Sequence, residues 1–151
     1  MKIYIGTDHR GVEFKKKIQK ILENWDHDVI DCGTNDPDVS CDYPKIAYKV
    51  ASQVASSSKN RGILLCMSGI GQAIAANKVK GAYAALCCNP EAAQLSRQHN
   101  NANVLVIGAK FVKQKDLKKI IQNFLESEFE GGRHLRRVKQ MKAIENGKEL
   151  R

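Results

Sequence analysis

No run of apolar residues in this sequence approaches the ~18 that a membrane-spanning helix needs. A cationic segment followed by an apolar stretch and a small-residue cleavage site is also missing. Met1-Lys2-Ile3-Tyr4-Ile5 leads straight into strand-like sequence, so no export is expected. The cysteines Cys32, Cys41, Cys66, Cys87 and Cys88 are odd in number, include no C-x-x-C pair and lack zinc-site spacing. That pattern argues against a disulfide framework and a resident metal, and free thiols in a reducing cytoplasm are expected instead. Neither G-x-x-x-x-G-K-S/T nor G-x-G-x-x-G occurs, so no ATP or NAD cofactor is expected. Internal repeats and low-complexity tracts are absent as well.

Acidic residues are in short supply, with 16 Asp and Glu against 25 Lys and Arg, a formal charge of +9. Much of the imbalance lies at the C-terminal end, where seven Lys or Arg between Arg133 and Arg151 face two Glu. A basic face can bind a polyanion or a small phosphorylated metabolite, or can simply be solvated, and charge alone does not separate these readings.

What is present suits one domain over residues 1–151, with 151 residues and 42% hydrophobic content. Strand-like and helix-like segments alternate along it. Lys2–Gly6 is a β-type run, and Gly11–Trp25 then spaces Phe14, Ile18, Ile21, Leu22 and Trp25 along one helical face. Val29–Cys32 reads as a second strand and Gly33–Asp42 as a loop. Tyr43–Ser57 reads as a helix, Ile63–Met67 as the third strand and Ala82–Cys87 as the fourth. A helix from Pro90 to Gln98 then leads into a fifth strand over Val104–Ile107. Lys113–Leu125 is amphipathic, and Leu135–Asn146, within a basic stretch over 132–151, is the last helix. Strands and helices in alternation predict an α/β fold of Rossmann-like form, a five-stranded parallel sheet sandwiched by helices. Ligands are then expected at the carboxyl ends of the strands.

The third strand ends in Cys66-Met67-Ser68-Gly69-Ile70-Gly71, followed by the Ala-rich helix Ala73–Lys78. A thiol there faces loop N–H groups and a helix N-terminus, which act to lower its pKa. A buried free cysteine is often mere packing. Two glycines that allow close backbone approach, with Ser68 as a rotatable donor and acceptor, favour a site. Asp8-His9 follows the first strand and would lie over the same edge, although Asp8 could equally be a helix cap. His99, in Ser96-Arg97-Gln98-His99-Asn100, ends a helix before the fifth strand, away from the strand tips of its own subunit. A role for it would require a dimer; otherwise it is surface, and Asn101 and Asn103 read as a solvent-exposed helix end. Arg133 and Arg137 share a helix face if the last helix begins near the glycines, and two guanidinium groups suit a phosphate.

Asp8-His9-x-Gly11, Asp42-Tyr43-Pro44, Cys66-x-Ser68-Gly69-x-Gly71, Ala75-Ala76-Asn77-Lys78, Ser96-Arg97-Gln98-His99-Asn100 and Glu130-Gly131-Gly132-Arg133-His134 occur in this order. Together they resemble type B ribose-5-phosphate isomerases, a family that also includes galactose- and allose-phosphate isomerases. The resemblance runs from Lys2 to about Glu145. It implies interconversion of ribose 5-phosphate and ribulose 5-phosphate without metal or cofactor, in a homodimer with sites at the subunit interface, and leaves open whether dimers pair into tetramers. Cys66 is the implied general base, Ser68 a proton relay and His99 the group assisting ring opening. The implied substrate contacts are Asp8, His9, Tyr43, Met67, Ser68, Gly69, Ile70, Gly71, Asn100, Lys110, Arg133 and Arg137. Lys110 stands where Arg is usual, and Met67 where a small residue is usual, so Met67 must turn into the core or narrow the pocket. A hexose 6-phosphate isomerase is the nearest alternative activity, and a catalytically silent nucleic-acid-binding module the alternative from another class.

Overall fold

A computed structural model describes residues 1–150, and Arg151, at the end of the basic tail, lies outside them. Five parallel strands, β1 (Lys2–Thr7), β2 (Asp28–Asp31), β3 (Arg61–Cys66), β4 (Ala84–Leu86) and β5 (Val104–Gly108), form one sheet in the spatial order β2-β1-β3-β5-β4. The helices are α1 (Val12–Glu23), α2 (Tyr43–Ala55), α3 (Ile70–Ala76), α4 (Pro90–Asn100), α5 (Leu117–Glu126) and α6 (Gly132–Glu145). This is the Rossmann-like α/β sandwich that the alternation of elements predicts. Among the described residues no helix is long and apolar enough to cross a membrane.

Side chains alternate across a strand, so each central strand feeds two cores. Ile3, Ile5, Ile63, Leu65, Leu105 and Ile107 point toward α1, α4 and α5, where they meet Phe14, Ile18, Leu22, Ile120 and Phe124. Tyr4, Leu64, Val104 and Val106 point the other way, toward Ile46, Val50 and Val54 of α2 and Ala76 of α3. Burying each large aliphatic side chain contributes about 1.5–3 kcal/mol. Burial on both faces is why β1, β3 and β5 read as nearly continuous apolar runs.

Two boundaries differ from the sequence reading. The fourth strand is only Ala84–Leu86, because it is an edge strand that pairs with β5 alone. The last helix begins at Gly132 rather than Leu135, since Gly131 and Gly132, with φ of 66° and 51°, turn the chain through a left-handed conformation into it. Arg133 and Arg137 therefore lie one turn apart on the same helix.

The topology creates the crevice. The β1–β2 connection, through α1, crosses one face of the sheet, and the return to β3, through α2, crosses the other, so the loops leaving the neighbours β1 and β3 diverge. Lys15 of α1 pins the loop beside it. This fully buried ammonium donates to Asp31 Oδ2 at 2.6 Å, Thr34 O at 2.7 Å and Asn35 Oδ1 at 2.8 Å, using all three of its protons.

Candidate active site

A cavity of about 730 Å³ opens at the carboxyl edge of the sheet. Four segments converge on it: Asp8–Arg10 after β1, Cys41–Lys45 at the start of α2, Cys66–Ser68 after β3, and Lys110–Phe111 after β5. The volume suits a small metabolite. Asp8, His9, Cys66, Met67, Ser68 and Lys110, which follow or end strands, are thus brought together with Tyr43 at the start of α2. Arg10, Lys45 and Phe111 also line the cavity and were not singled out by sequence. Arg10 carries a signal in hindsight, its place beside Asp8-His9, whereas Phe111 is brought in only by the turn after β5.

The thiol of Cys66 donates to Asp8 Oδ2 at 3.4 Å. Asp8 is itself buried, and its other oxygen accepts from the Arg10 amide at 3.1 Å, capping a short 3-10 turn. The cap that the sequence suggests is therefore present, and the same side chain also faces Cys66 in the cavity. The expected lowering of the Cys66 pKa is corrected. Burial pushes the thiol up, and the Asp8 carboxylate and its hydrogen bond push it further, while the Gly69 and Met67 amides pull it down by less. The loop dipoles are there as expected, but a carboxylate in contact outweighs them.

Gly69 makes the loop possible. It has φ of 77°, and a Cβ on it would lie 2.7 Å from Leu86 Cδ1. The loop then rests on the end of β5, where the amides of Ala109 and Lys110 donate to the carbonyls of Cys66 and Met67 at 3.0 Å each. A Cβ on Gly71 would meet the Tyr43 ring at 2.5–2.7 Å, so the absent side chain is what admits the tyrosine. The Ile70 amide donates to Ser68 Oγ at 3.4 Å, and Ile70 itself is half exposed. Met67 is 41% exposed and lines the cavity, so of the two options open to it, it narrows the pocket.

His99, Asn100, Arg133 and Arg137 do not join this cavity. α4 descends from the carboxyl edge and ends at Asn100, just before β5 begins at the amino edge. Gly62 pairs with Val104, and Cys66 with Gly108, so the two edges lie about 13 Å apart at ~3.3 Å per residue. Arg133 and Arg137 are exposed on α6, beside the end of α4. The His134 ring stacks on His99 with centroids 4.1 Å apart and an 8° tilt. Glu130 Oε2 lies 3.9 Å from His99 Nε2 and 3.7 Å from His134 Nε2, three ligand-type atoms in one cluster. Neither Glu130 nor His134 was singled out beyond its place in the motif. Asn101 and Asn103, read as an exposed helix end, have structural work: Asn101 takes φ of 50° to terminate α4, and Asn103 bonds Tyr83 N at 2.7 Å and Gly81 O at 2.8 Å.

The family model for Ribose/Galactose Isomerase matches residues 3–141. The chain is 46% identical over 137 residues to a probable ribose-5-phosphate isomerase B of Mycoplasma genitalium, covering 90% of each. It is 44% identical over 144 residues to the ribose-5-phosphate isomerase B of Escherichia coli, covering 95% of this chain and 96% of that one. Among solved structures, ribose-5-phosphate isomerase B of Clostridium thermocellum superimposes with a TM-score of 0.93 at 44% identity, covering 97% of this chain and 99% of that one. The Mycoplasma genitalium enzyme, solved with bound ribulose-5-phosphate, gives 0.91 at 43% identity, covering 96% of each. With an ordered set of motifs, a switch-point cavity holding a thiol, and full-length similarity in sequence and fold, the chain belongs to the ribose/galactose isomerase family.

Proposed function

We propose that the protein interconverts D-ribose 5-phosphate and D-ribulose 5-phosphate, with Cys66 as the base that moves the proton between C2 and C1. The observation that carries this reading is the Cys66–Asp8 pair inside the carboxyl-edge cavity, on a loop whose amides face the sulfur. The relative solved with ribulose-5-phosphate supports the substrate class. Met67 narrowing the cavity favours a pentose over a hexose phosphate.

The reaction removes a proton from C2 of the open aldose and delivers one to C1 through a cis-enediolate, so one base on one face suffices. Burial and Asp8 hold the thiol protonated, and the thiolate forms by passing that proton to Asp8 Oδ2. The thiolate takes the C2 proton, the enediolate forms, and the same thiol returns a proton to C1. Asp8, now a neutral acid, can donate to a sugar oxygen until it gives the proton back. Ser68 relays the proton between O1 and O2. Amides of the Met67–Gly71 loop stabilise the enediolate oxygen, where one preorganised donor is worth roughly 3–4 kcal/mol of barrier. His9, Tyr43 and Lys110 position the sugar, and binding of the remote phosphate fixes its orientation.

Ring opening by His99, a sugar contact from Asn100 and phosphate binding by Arg133 and Arg137 come from a second subunit in this reading. A homodimer is supported by the separation of the two residue groups on opposite sheet edges. It is supported also by the apolar face that α3 leaves exposed, with Ile70 at 51% and Ile74 at 59%, next to Met67 at 41%. Free cysteines throughout suit a cytoplasmic setting. The test is direct assay of ribose 5-phosphate conversion beside allose and galactose 6-phosphates, where preference for a hexose would refute the pentose assignment. Co-expression of Cys66→Ala with His99→Ala, each inactive alone, should restore up to about a quarter of native activity, because half the dimers are mixed and each carries one intact site. No restoration would place both groups in one subunit's site.

A further inference from the structure

His99, Glu130 and His134 are placed together by three separate devices. The end of α4 presents His99, the Glu130 amide donates to Gln98 O at 3.1 Å and holds the carboxylate beside it, and the first turn of α6 lays His134 flat against the His99 ring. His134 is buried, whereas the other two reach solvent, with side-chain exposures of 37% for His99 and 50% for Glu130. One ligand atom from each lies within 4.8 Å of the other two. The widest triangle that these distances allow has its centre about 2.5 Å from each atom, against the about 2.0–2.2 Å of zinc bonded to imidazole nitrogen or carboxylate oxygen.

We propose that this cluster is a binding site for one transition-metal dication of the zinc class, with two imidazoles and one carboxylate as ligands. Closure onto the ion needs each atom to move by a few tenths of an ångström and the His99 ring to tilt out of the stack. Its partial exposure leaves room for that tilt. The fourth position stays open to water or an anion, as in a three-ligand site. Arg133 and Arg137, on the first two turns of α6, oppose a cation electrostatically, so the ion is a reversible ligand and not a structural component. Occupancy takes the lone pair of His99, and therefore inhibits; this consequence rests on the reading of His99 as the ring-opening group.

The probe is Co²⁺ titrated into the Cys66→Ala protein, which removes the active-site thiol as a competing ligand. The expected result is one ion per chain with the visible bands of nitrogen and oxygen ligation and no thiolate-to-metal charge transfer. Glu130→Gln, which keeps the shape of an exposed side chain, and His134→Ala should each weaken binding by at least about tenfold. In the unmodified enzyme Zn²⁺ should inhibit isomerisation and a chelator should reverse it. Absence of stoichiometric binding, sulfur ligation in the cobalt spectrum, or affinity unchanged in both variants overturns the site. Binding with full activity retained supports the site and refutes instead the role of His99 in ring opening.

Discussion

Asp8→Asn removes the charge that faces Cys66 while keeping the shape of the side chain, and Asn serves equally well as the cap that Arg10 N requires. In the native protein the thiol is held up by burial first, then by the Asp8 charge and hydrogen bond. Two unit charges about 4 Å apart interact by about 4 kcal/mol at the effective dielectric near a protein surface. Cys66 is half-buried, so water screens part of this. If one third survives, the thiolate population at a fixed pH below its titration rises roughly tenfold, since 1.4 kcal/mol is about a factor of ten. The less basic thiolate is also a weaker nucleophile, so the gain in alkylation rate is about threefold. Iodoacetamide labelling, with Cys66 followed by peptide mass mapping, should therefore speed up at neutral pH, and its pH profile should move to lower pH. Isomerisation should move the other way. With no carboxylate to receive the thiol proton or contact the sugar, kcat should fall by about a hundredfold. Alkylation of Cys66 that is unchanged or slower in folded Asp8→Asn would refute Asp8 as the source of the raised thiol, and with it the proton transfer between the two.

Arg137→Ala should raise KM for ribose 5-phosphate more than it lowers kcat and leave the melting temperature within error, as expected for an exposed arginine engaged only by phosphate; steady-state kinetics beside a thermal melt reads both. Ile74→Arg puts a charge on the exposed apolar face of α3 and should yield an inactive monomer in analytical ultracentrifugation, whereas an active monomer would refute the shared site. Lys15→Met leaves Asp31, Thr34 O and Asn35 without their common donor and should cost about 3 kcal/mol in urea unfolding, the lower end for a broken buried pair because Asp31 still reaches water.

Much of the fold could be read from local pattern. The nearly continuous apolar runs of β1, β3 and β5 and the helical spacing in α1 and α5 are properties of neighbouring residues, and they survive into the structure with shifts of a few residues. The fourth strand is shorter than Ala82–Cys87 suggests, because an edge position, which limits its pairing, is not encoded in those residues themselves. Asn103 looked like surface for a similar reason: its partners Gly81 and Tyr83 are distant in sequence and meet it only when β4 and β5 align. The cluster of His99, Glu130 and His134 leaves no ligand spacing in the sequence, because His99 comes from α4, distant in the chain from Glu130 in the loop before α6 and His134 within it.

The sequence by itself determined the order of strands and helices, and therefore which side chains stand at the ends of β1 and β3. A parallel sheet sends each of those loops to the same edge, so Asp8, His9, Cys66 and Ser68 had to be neighbours. Tertiary structure alone decided which way the Cys66 pKa is pushed and that His99, Arg133 and Arg137 lie apart from the thiol. Whether a thiol is lowered by amides or raised by a carboxylate depends on distances of a few ångströms and on burial, neither of which a linear spacing carries. That His99 and the α6 arginines face away from the thiol follows from helix α4 running antiparallel to the strands, which puts its last turn at the opposite edge of the sheet.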